Sequence, residues 1–408
     1  MKLLTVDTIE EARQKILAFT RHWKLSIEKI ELSQALGRIL AEDIFTPDDI
    51  PNFRRSTVDG YAVQSKDTAG AGEALPVMLK LIGTVEIGKP AGFNIRSGEC
   101  AYVPTGGMIP EGADAMVMVE YSEVFGDEIA IYGNAAPLSN LVSIGEDSPK
   151  GELLLHRGTK ILSHETGALA AAGITQVPVY APLRISILSS GDELVAPDKK
   201  PGLAEVRDIN TSALGAIATE SGFKIVVSKA LKDDEKALEE AVRDAMLKSD
   251  VLVLSGGSSK GNKDLTAVIL SRLAEPGIFT QGLAIKPGKP TILAYDKLTD
   301  TILAGLPGHP VSALIVFRVL LSWLIMQLTG QKEALPIPAK IGCNIANTQG
   351  RSSYQPVVIN LQDGVLFAQP IFGKAGMIST LTKSDGYIII DMNKEGIKEG
   401  DTVLVYLW

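Results

Sequence analysis

Three glycine-containing turns carry the polar side chains best placed for chemistry. Residues 189–194 read SSGDEL, residues 255–264 read SGGSSKGNKD, and residues 306–313 read LPGHPVSA. Each follows a short apolar run, and the third leads into a helical pattern. Glycine lets a backbone come close to a ligand, and the N–H groups that open a helix can bind an anion. Three such turns together point to a phosphate or carboxylate ligand. They nominate Ser190, Gly191, Ser255, Gly256, Gly257, Ser259, Gly261, Pro307, Gly308, His309, Pro310 and Ser312. None fits GxxxxGK[ST] or GxGxxG, which disfavours ATP hydrolysis and nicotinamide chemistry.

Two lysines, Lys286 and Lys289, straddle the Pro-Gly turn of KPGKP. In an acidic chain, a paired-lysine turn near strand ends reads as an anion clamp. Carboxylates gather in the same region: Asp192, Glu193, Asp208 (two before Asn210), Asp233, Asp234 and Asp264. Acidic groups beside an anion pocket suggest a Mg²⁺ ion bridging to phosphate. Asp208 and Asp234 also precede helical stretches, where aspartate serves as a cap; the spacing of Asp234 fits that role. No Ser-His-Asp or Cys-His order is present, so nucleophilic acyl transfer lacks support.

These residues need a frame. After Pro182, the apolar runs LRISILS (183–189), VLVL (251–254) and TILAGL (301–306) alternate with helical stretches near 210–222, 234–247 and 263–274. Apolar strands alternating with helices predict a parallel sheet covered on both faces, with ligands bound beyond the carboxyl ends of its strands. Residues 76–135 are β-rich and punctuated by Gly and Pro, as are residues 338–408, so each is expected to form a small β domain. A helix is expected over 7–20, with Asp7 as its cap, and a short one around 32–41. Residues 311–328 are nearly long enough to span a bilayer, but Arg318 sits near their centre; a buried core helix is the better reading.

The 408 residues are more than one core usually supports, so several domains are expected. The net charge of −8 disfavours a nucleic-acid binder. Cys100 and Cys343, and the four histidines, form no metal-like spacing. MKLLTVDTIEEARQ has too short an apolar run for a signal peptide, so a cytoplasmic enzyme without a membrane partner is expected.

Together the motifs resemble the molybdopterin molybdenumtransferase family, called MoeA in bacteria and the E-domain of gephyrin in animals. The matching pieces are TVDGYAV (57–63), PTGGMIPEGADAMV (104–117), IGED (144–147), SSGDEL, the Asp208/Asn210 pair, SGGSSKG followed by Asp264, IKPGKP, LPGHPVSA and KAGMISTLTKSDGY (374–387). Nine in order, nearly end to end, are specific.

The resemblance implies insertion of molybdate into adenylylated molybdopterin with release of AMP. Lys286 and Lys289 would neutralise phosphate or molybdate. Glu193, Asp234 and Asp264 would hold Mg²⁺ or polarise the attacking group, Glu193 and Asp264 being the metal ligands. Asp59 and Thr105 match active-site positions. The implied fold is α/β plus β, multidomain and elongated: a discontinuous first domain (1–45 and 145–181), a β-rich second (46–144), a central α/β third (182–330) and a C-terminal β-barrel (331–408). A homodimer with shared sites and transient contact with the molybdopterin adenylyltransferase are also implied.

The chain departs from the family pattern in places. Leu141, Val142 and Ser143 stand where arginines are frequent, Ser190 replaces a common Thr, Lys260 an apolar residue, Leu265 a Tyr and His309 an Asn. These raise the question of molybdate against tungstate preference. Two rival readings, an adenylyltransferase and a scaffold of the gephyrin kind, fit less of the chain: the first accounts only for the α/β region, and the second calls for an apolar peptide groove and assembly domains.

Overall fold

The computed structural model describes residues 6–256 and 265–408. The chain forms two compact units. The first comprises Met1–Glu42, Arg157–Leu162 and Val177–Trp408; the second comprises Asp43–His156 and Ser163–Gln176.

The second unit is built on a six-stranded sheet of β1 (Gly60–Val63), β2 (Val77–Thr84), β3 (Glu99–Val103), β4 (Ala115–Met118), β5 (Ser122–Phe125) and β6 (Glu128–Ile131), in the order β4-β1-β3-β2-β6-β5. Only β2 and β3 run parallel. Alternation sets its two faces: Tyr61 and Val63 enter one apolar cluster and Ala62 the other.

The first unit contains the expected α/β layer. Its strands are β7 (Arg184–Ser190), β8 (Lys224–Leu231), β9 (Val251–Gly256), β10 (Pro276–Gln281), β11 (Ile292–Asp296) and β12 (Thr301–Leu306), in the order β8-β7-β9-β12-β11-β10. The first four in that order are parallel, and β11 and β10 add on antiparallel. The sheet is therefore mixed, because β10 and β11 are antiparallel neighbours in sequence and space.

Two-residue periodicity splits the core. Ile185, Ile187, Val251, Val253, Ile302 and Ala304 face one cluster, with α2 (Asn210–Glu220) and α5 (Pro310–Thr329). Leu188, Leu252, Leu254 and Leu303 face the other, with α3 (Glu235–Met246) and α4 (Leu265–Leu273). Both faces are covered, which is why these strands read as unbroken apolar runs.

Among the described residues, α5 is the one helix long and apolar enough to cross a membrane, and most of it is buried in this core. A π-turn, Phe317–Ser322, interrupts it.

The N-terminal helix α1 (Ile9–Thr20) packs on the same cluster. Its cap is Thr8 rather than Asp7: the Thr8 hydroxyl accepts from Glu11 N at 3.1 Å, and Glu11 accepts from Thr8 N at 2.8 Å. Asp7 instead accepts from Lys15 Nζ and Thr280 Oγ1, both at 2.6 Å. The expected helix over 32–41 is a single 3₁₀ turn, Leu32–Gln34; Gly37 turns the chain at φ +79°.

The C-terminal region closes into a barrel of β13 (Ile337–Ile341), β14 (Ser352–Gln362), β15 (Val365–Pro370), β16 (Gly386–Ile390) and β17 (Thr402–Leu407), ordered β14-β15-β13-β17-β16 and back to β14. The short strand Ile285–Lys286 adds to it by pairing with β14, Lys286 lying opposite Ser353.

Candidate active site

A cavity of about 520 Å³ opens beyond the carboxyl ends of β7 and β9. Nine of the nominated residues line it: Ser190, Gly191, Asp208, Asn210, Ser255, Gly256, Gly308, His309 and Pro310. Glu193 joins them.

Hydrogen bonds fix this wall. The Asn210 amide donates both to Ser255 Oγ (2.7 Å) and to Gly308 O (2.8 Å), tying α2 to β9 and to the turn after β12. Ser255 donates on to Pro307 O (3.3 Å). Thr211 Oγ1 donates to Ser189 Oγ (2.8 Å), and Asp208 accepts from Thr211 N (3.1 Å), capping the start of α2. Asn210 is 8% exposed, and its Oδ1 has no hydrogen-bond partner. Buried acceptors rarely stay unpaired. With both amide hydrogens used, the side chain cannot flip without losing them, so the free position is an acceptor and calls for a donor.

Gly256 shows why glycine is required here. Its φ is +112°, and a Cβ would stand 2.1 Å from Ser190 O. Any side chain would break the contact between the first two turns.

The third turn offers less to an anion than its sequence suggested. Pro310 has no N–H, and Val311 N already donates to Ala375 O at 3.1 Å. Pro307 and Ser312 do not line the cavity; Ser312 is buried. Gly257, Ser259, Gly261 and Asp264 lie outside the described residues.

Among the acidic candidates, Asp234 does not line the cavity: its Oδ1 accepts from Ala237 N at 2.7 Å and caps α3. Its neighbour Asp233 lines the cavity instead, its N–H donating to Asp192 Oδ1 at 3.1 Å. Arg207 also reaches the wall. Asp233 was among the gathered carboxylates in the sequence but was given no role of its own; Arg207 was passed over, although it adjoins the nominated Asp208.

Among the described residues no three His, Cys, Asp or Glu side chains converge as a metal cage. Mg²⁺ needs less, commonly one or two carboxylates plus phosphate oxygens and water. Glu193 and Asp233 on one wall fit that need.

Lys286 lies in a second cavity of about 210 Å³, between the α/β layer and the barrel, together with Lys374. Pairing with β14 places it there. Lys289 is exposed and lines neither cavity. Lys374 was legible only as part of the KAGMISTLTKSDGY motif. The two cavities adjoin: residues 373–375 line one and Gly376 the other, and likewise Val311 and Pro310.

In the second unit, Asp59 and Thr105 meet. Asp59 Oδ1 accepts from Thr105 N (2.7 Å) and Thr105 Oγ1 (3.0 Å). The backbone bond first, then the hydroxyl, holds the Asp59 carboxyl below its usual range. Leu141–Val142, where arginines were expected by resemblance, form a strand antiparallel to Arg55–Ser56, and Leu141 is buried. Its apolar character serves the core there.

Comparison with known proteins shows the family. Three family profiles cover the chain in sequence: the MoeA N-terminal region (domains I and II) over residues 7–173, the probable molybdopterin-binding domain over 186–327, and the MoeA C-terminal region (domain IV) over 338–408. A putative molybdopterin biosynthesis protein of Methanocaldococcus jannaschii is 32% identical, over 93% of this chain and 92% of that one. The molybdopterin molybdenumtransferase of Haemophilus influenzae is 31% identical over 98% of each. The crystal structure of a MoeA molybdopterin biosynthesis protein from Pyrococcus superposes with a TM-score of 0.78 at 34% identity, covering 99% of both chains. The chain belongs to the MoeA family, whose curated members carry the name molybdopterin molybdenumtransferase.

Proposed function

We propose that this protein is a molybdenum cofactor biosynthesis transferase that inserts molybdate into adenylylated molybdopterin and releases AMP. The observation that carries the reading is the pair of adjoining cavities, one suited to a phosphorylated pterin and the other to an oxyanion.

The larger cavity has glycine turns for close backbone approach and an unpaired buried acceptor, Asn210 Oδ1, for an N–H or O–H of the ligand. Glu193 and Asp233 would hold Mg²⁺ against the phosphates, where the ion would offset their charge. The smaller cavity gathers Lys286 and Lys374, two cations for a doubly charged tetrahedral oxyanion. Residues 373–376, between the two, would set the distance from the incoming molybdate to the dithiolene and the phosphoanhydride. Water attacks that anhydride and frees AMP, and the two dithiolene sulfurs take the metal, one molybdate oxide leaving as water with the two thiol protons. The cations act by neutralising charge on the reacting groups and holding them close.

The Asp59–Thr105 pair, a polar group on a unit of its own, supports a further part of the proposal: a homodimer in which this pair completes a site. Delivery of the adenylylated pterin by the adenylyltransferase belongs to the same reading.

Isothermal titration with molybdopterin tests the larger cavity. Asn210→Ala strands Gly308 O and Ser255 and removes the acceptor; loss of about 1–3 kcal/mol, roughly five- to 150-fold in affinity, is expected. Unchanged affinity would move the pterin elsewhere.

A further inference from the structure

A second binding region lies on the first unit, away from the residues assigned above. Two cavities, of about 370 and 320 Å³, share Gly37, Ile39 and Gly222 and so form one groove.

One chamber is cationic. Arg318 and Lys160 line it. The Arg318 guanidinium is half-buried and makes no hydrogen bond or ion pair among the described residues; it lies over the Trp408 ring, 5.7 Å from the centroid, and acts electrostatically on the Tyr387 phenol. Arginine on an otherwise apolar helix, with five donors and no acceptor, is costly unless something pairs with it. Lys160 spends one donor on Glu220 O at 3.3 Å. The Glu220 carboxylate is the one acidic side chain on this wall, and it is exposed. Arg318 and Ser322 both sit on the π-turn of α5, a distortion often found at functional positions.

The other chamber is apolar, lined by Leu25, Leu36, Pro182, Leu183, Phe223 and Ile325. Tyr180 closes it; it is 8% exposed, and its phenol oxygen has no hydrogen-bond partner. Arg38 at the rim is already bound to Glu28 and to Tyr180 O, and Arg157 lies over the Tyr180 ring. An unpaired cation at one end, an unpaired hydroxyl at the other and apolar walls between describe a ligand in outline.

We propose that this groove binds an amphipathic organic anion, a carboxylate or sulfonate on an aromatic or branched body, with its head on Arg318 and Lys160 and its body reaching towards Tyr180. The helices it would touch also frame the active-site cavity: α2 carries Asn210 at one end and Glu220 at the other, and α5 puts Pro310 on that cavity and Arg318, Ser322 and Met326 on the groove. An occupant is therefore placed to act on the site as an effector.

The test uses the full chain and two fluorescent probes of one shape, anionic 1-anilinonaphthalene-8-sulfonate and neutral N-phenyl-1-naphthylamine. The sulfonate is expected to bind one saturable site per chain. Arg318→Met should weaken it about tenfold, the worth of a charge-assisted contact, while leaving the neutral probe unchanged. Arg318→Lys should retain most of the affinity, and Asn210→Leu should retain all of it. If Arg318→Met fails to fold, the exposed Lys160→Met carries the test, with weakening of about threefold expected. Equal sulfonate affinity across the wild type and the charge-removing variants would overturn the proposal, as would loss of binding on Asn210→Leu alone, which would put the probe in the active-site cavity.

Discussion

At the residue scale, hydrogen-bond accounting separates side chains committed to the fold from those with capacity to spare. Asn210 uses both donors and keeps a bare acceptor. Asp59 is held low by two bonds from Thr105, the backbone N–H being the stronger. A carboxyl whose folded pKa lies below its unfolded value adds stability that is present above the unfolded value, about 3.8, and is lost as pH falls through the folded one. Thr105→Val keeps the backbone bond and removes the hydroxyl. The Asp59 titration, followed by NMR of its carboxyl carbon, should move up towards 3.8 without reaching it; no movement would mean the hydroxyl does not hold that carboxylate in solution. The sequence made Ser190, Gly256 and Asn210 visible because glycine and small polar residues cluster after apolar runs. It could not show which hydrogen bonds each had already spent. Val311 N–H is one such case: only the fold brings Ala375 O to it.

At the element scale, what the sequence revealed follows burial. β7, β9 and β12 are covered on both faces and so read as apolar runs. β8, at the sheet edge, is mostly exposed and reads KIVVSKAL, with no run to mark it. β10 and β11 were missed because antiparallel neighbours there break the strand–helix alternation. The cap of the N-terminal helix was placed one residue early, since Asp7 and Thr8 both qualify by type and each has Glu three residues on; only the fold commits Asp7 to Lys15 and Thr280 and leaves the capping box to Thr8 and Glu11. Asp234 illustrates the same competition between roles. As the cap of α3, it gives Asp234→Ala a cost of about 1 kcal/mol in denaturant unfolding with turnover nearly intact. Asp233→Ala, on the cavity wall, should do the reverse. Large loss of turnover with unchanged stability on Asp234→Ala would return that residue to the chemistry.

At the scale of the whole molecule, an acidic chain concentrates its useful positive charge in few places. Lys286 and Lys374 form one of them, assembled from residues 88 positions apart (374 − 286) by the pairing of Ile285–Lys286 with β14. No local pattern announces such a pair; the KPGKP turn drew attention to Lys289, which the fold leaves exposed and outside both cavities. The order of nine motifs carried more information than any one of them, because it spans both compact units and the barrel together. The most direct test of the central claim is single-turnover AMP release from adenylylated molybdopterin, with and without molybdate, scored alongside reconstitution of an apo-molybdoenzyme. Molybdate-dependent release that restores activity, reduced at least about tenfold by Lys286→Ala or Lys374→Ala, is the result expected of two cations acting on one oxyanion. Tight pterin binding with no release of AMP would contradict it.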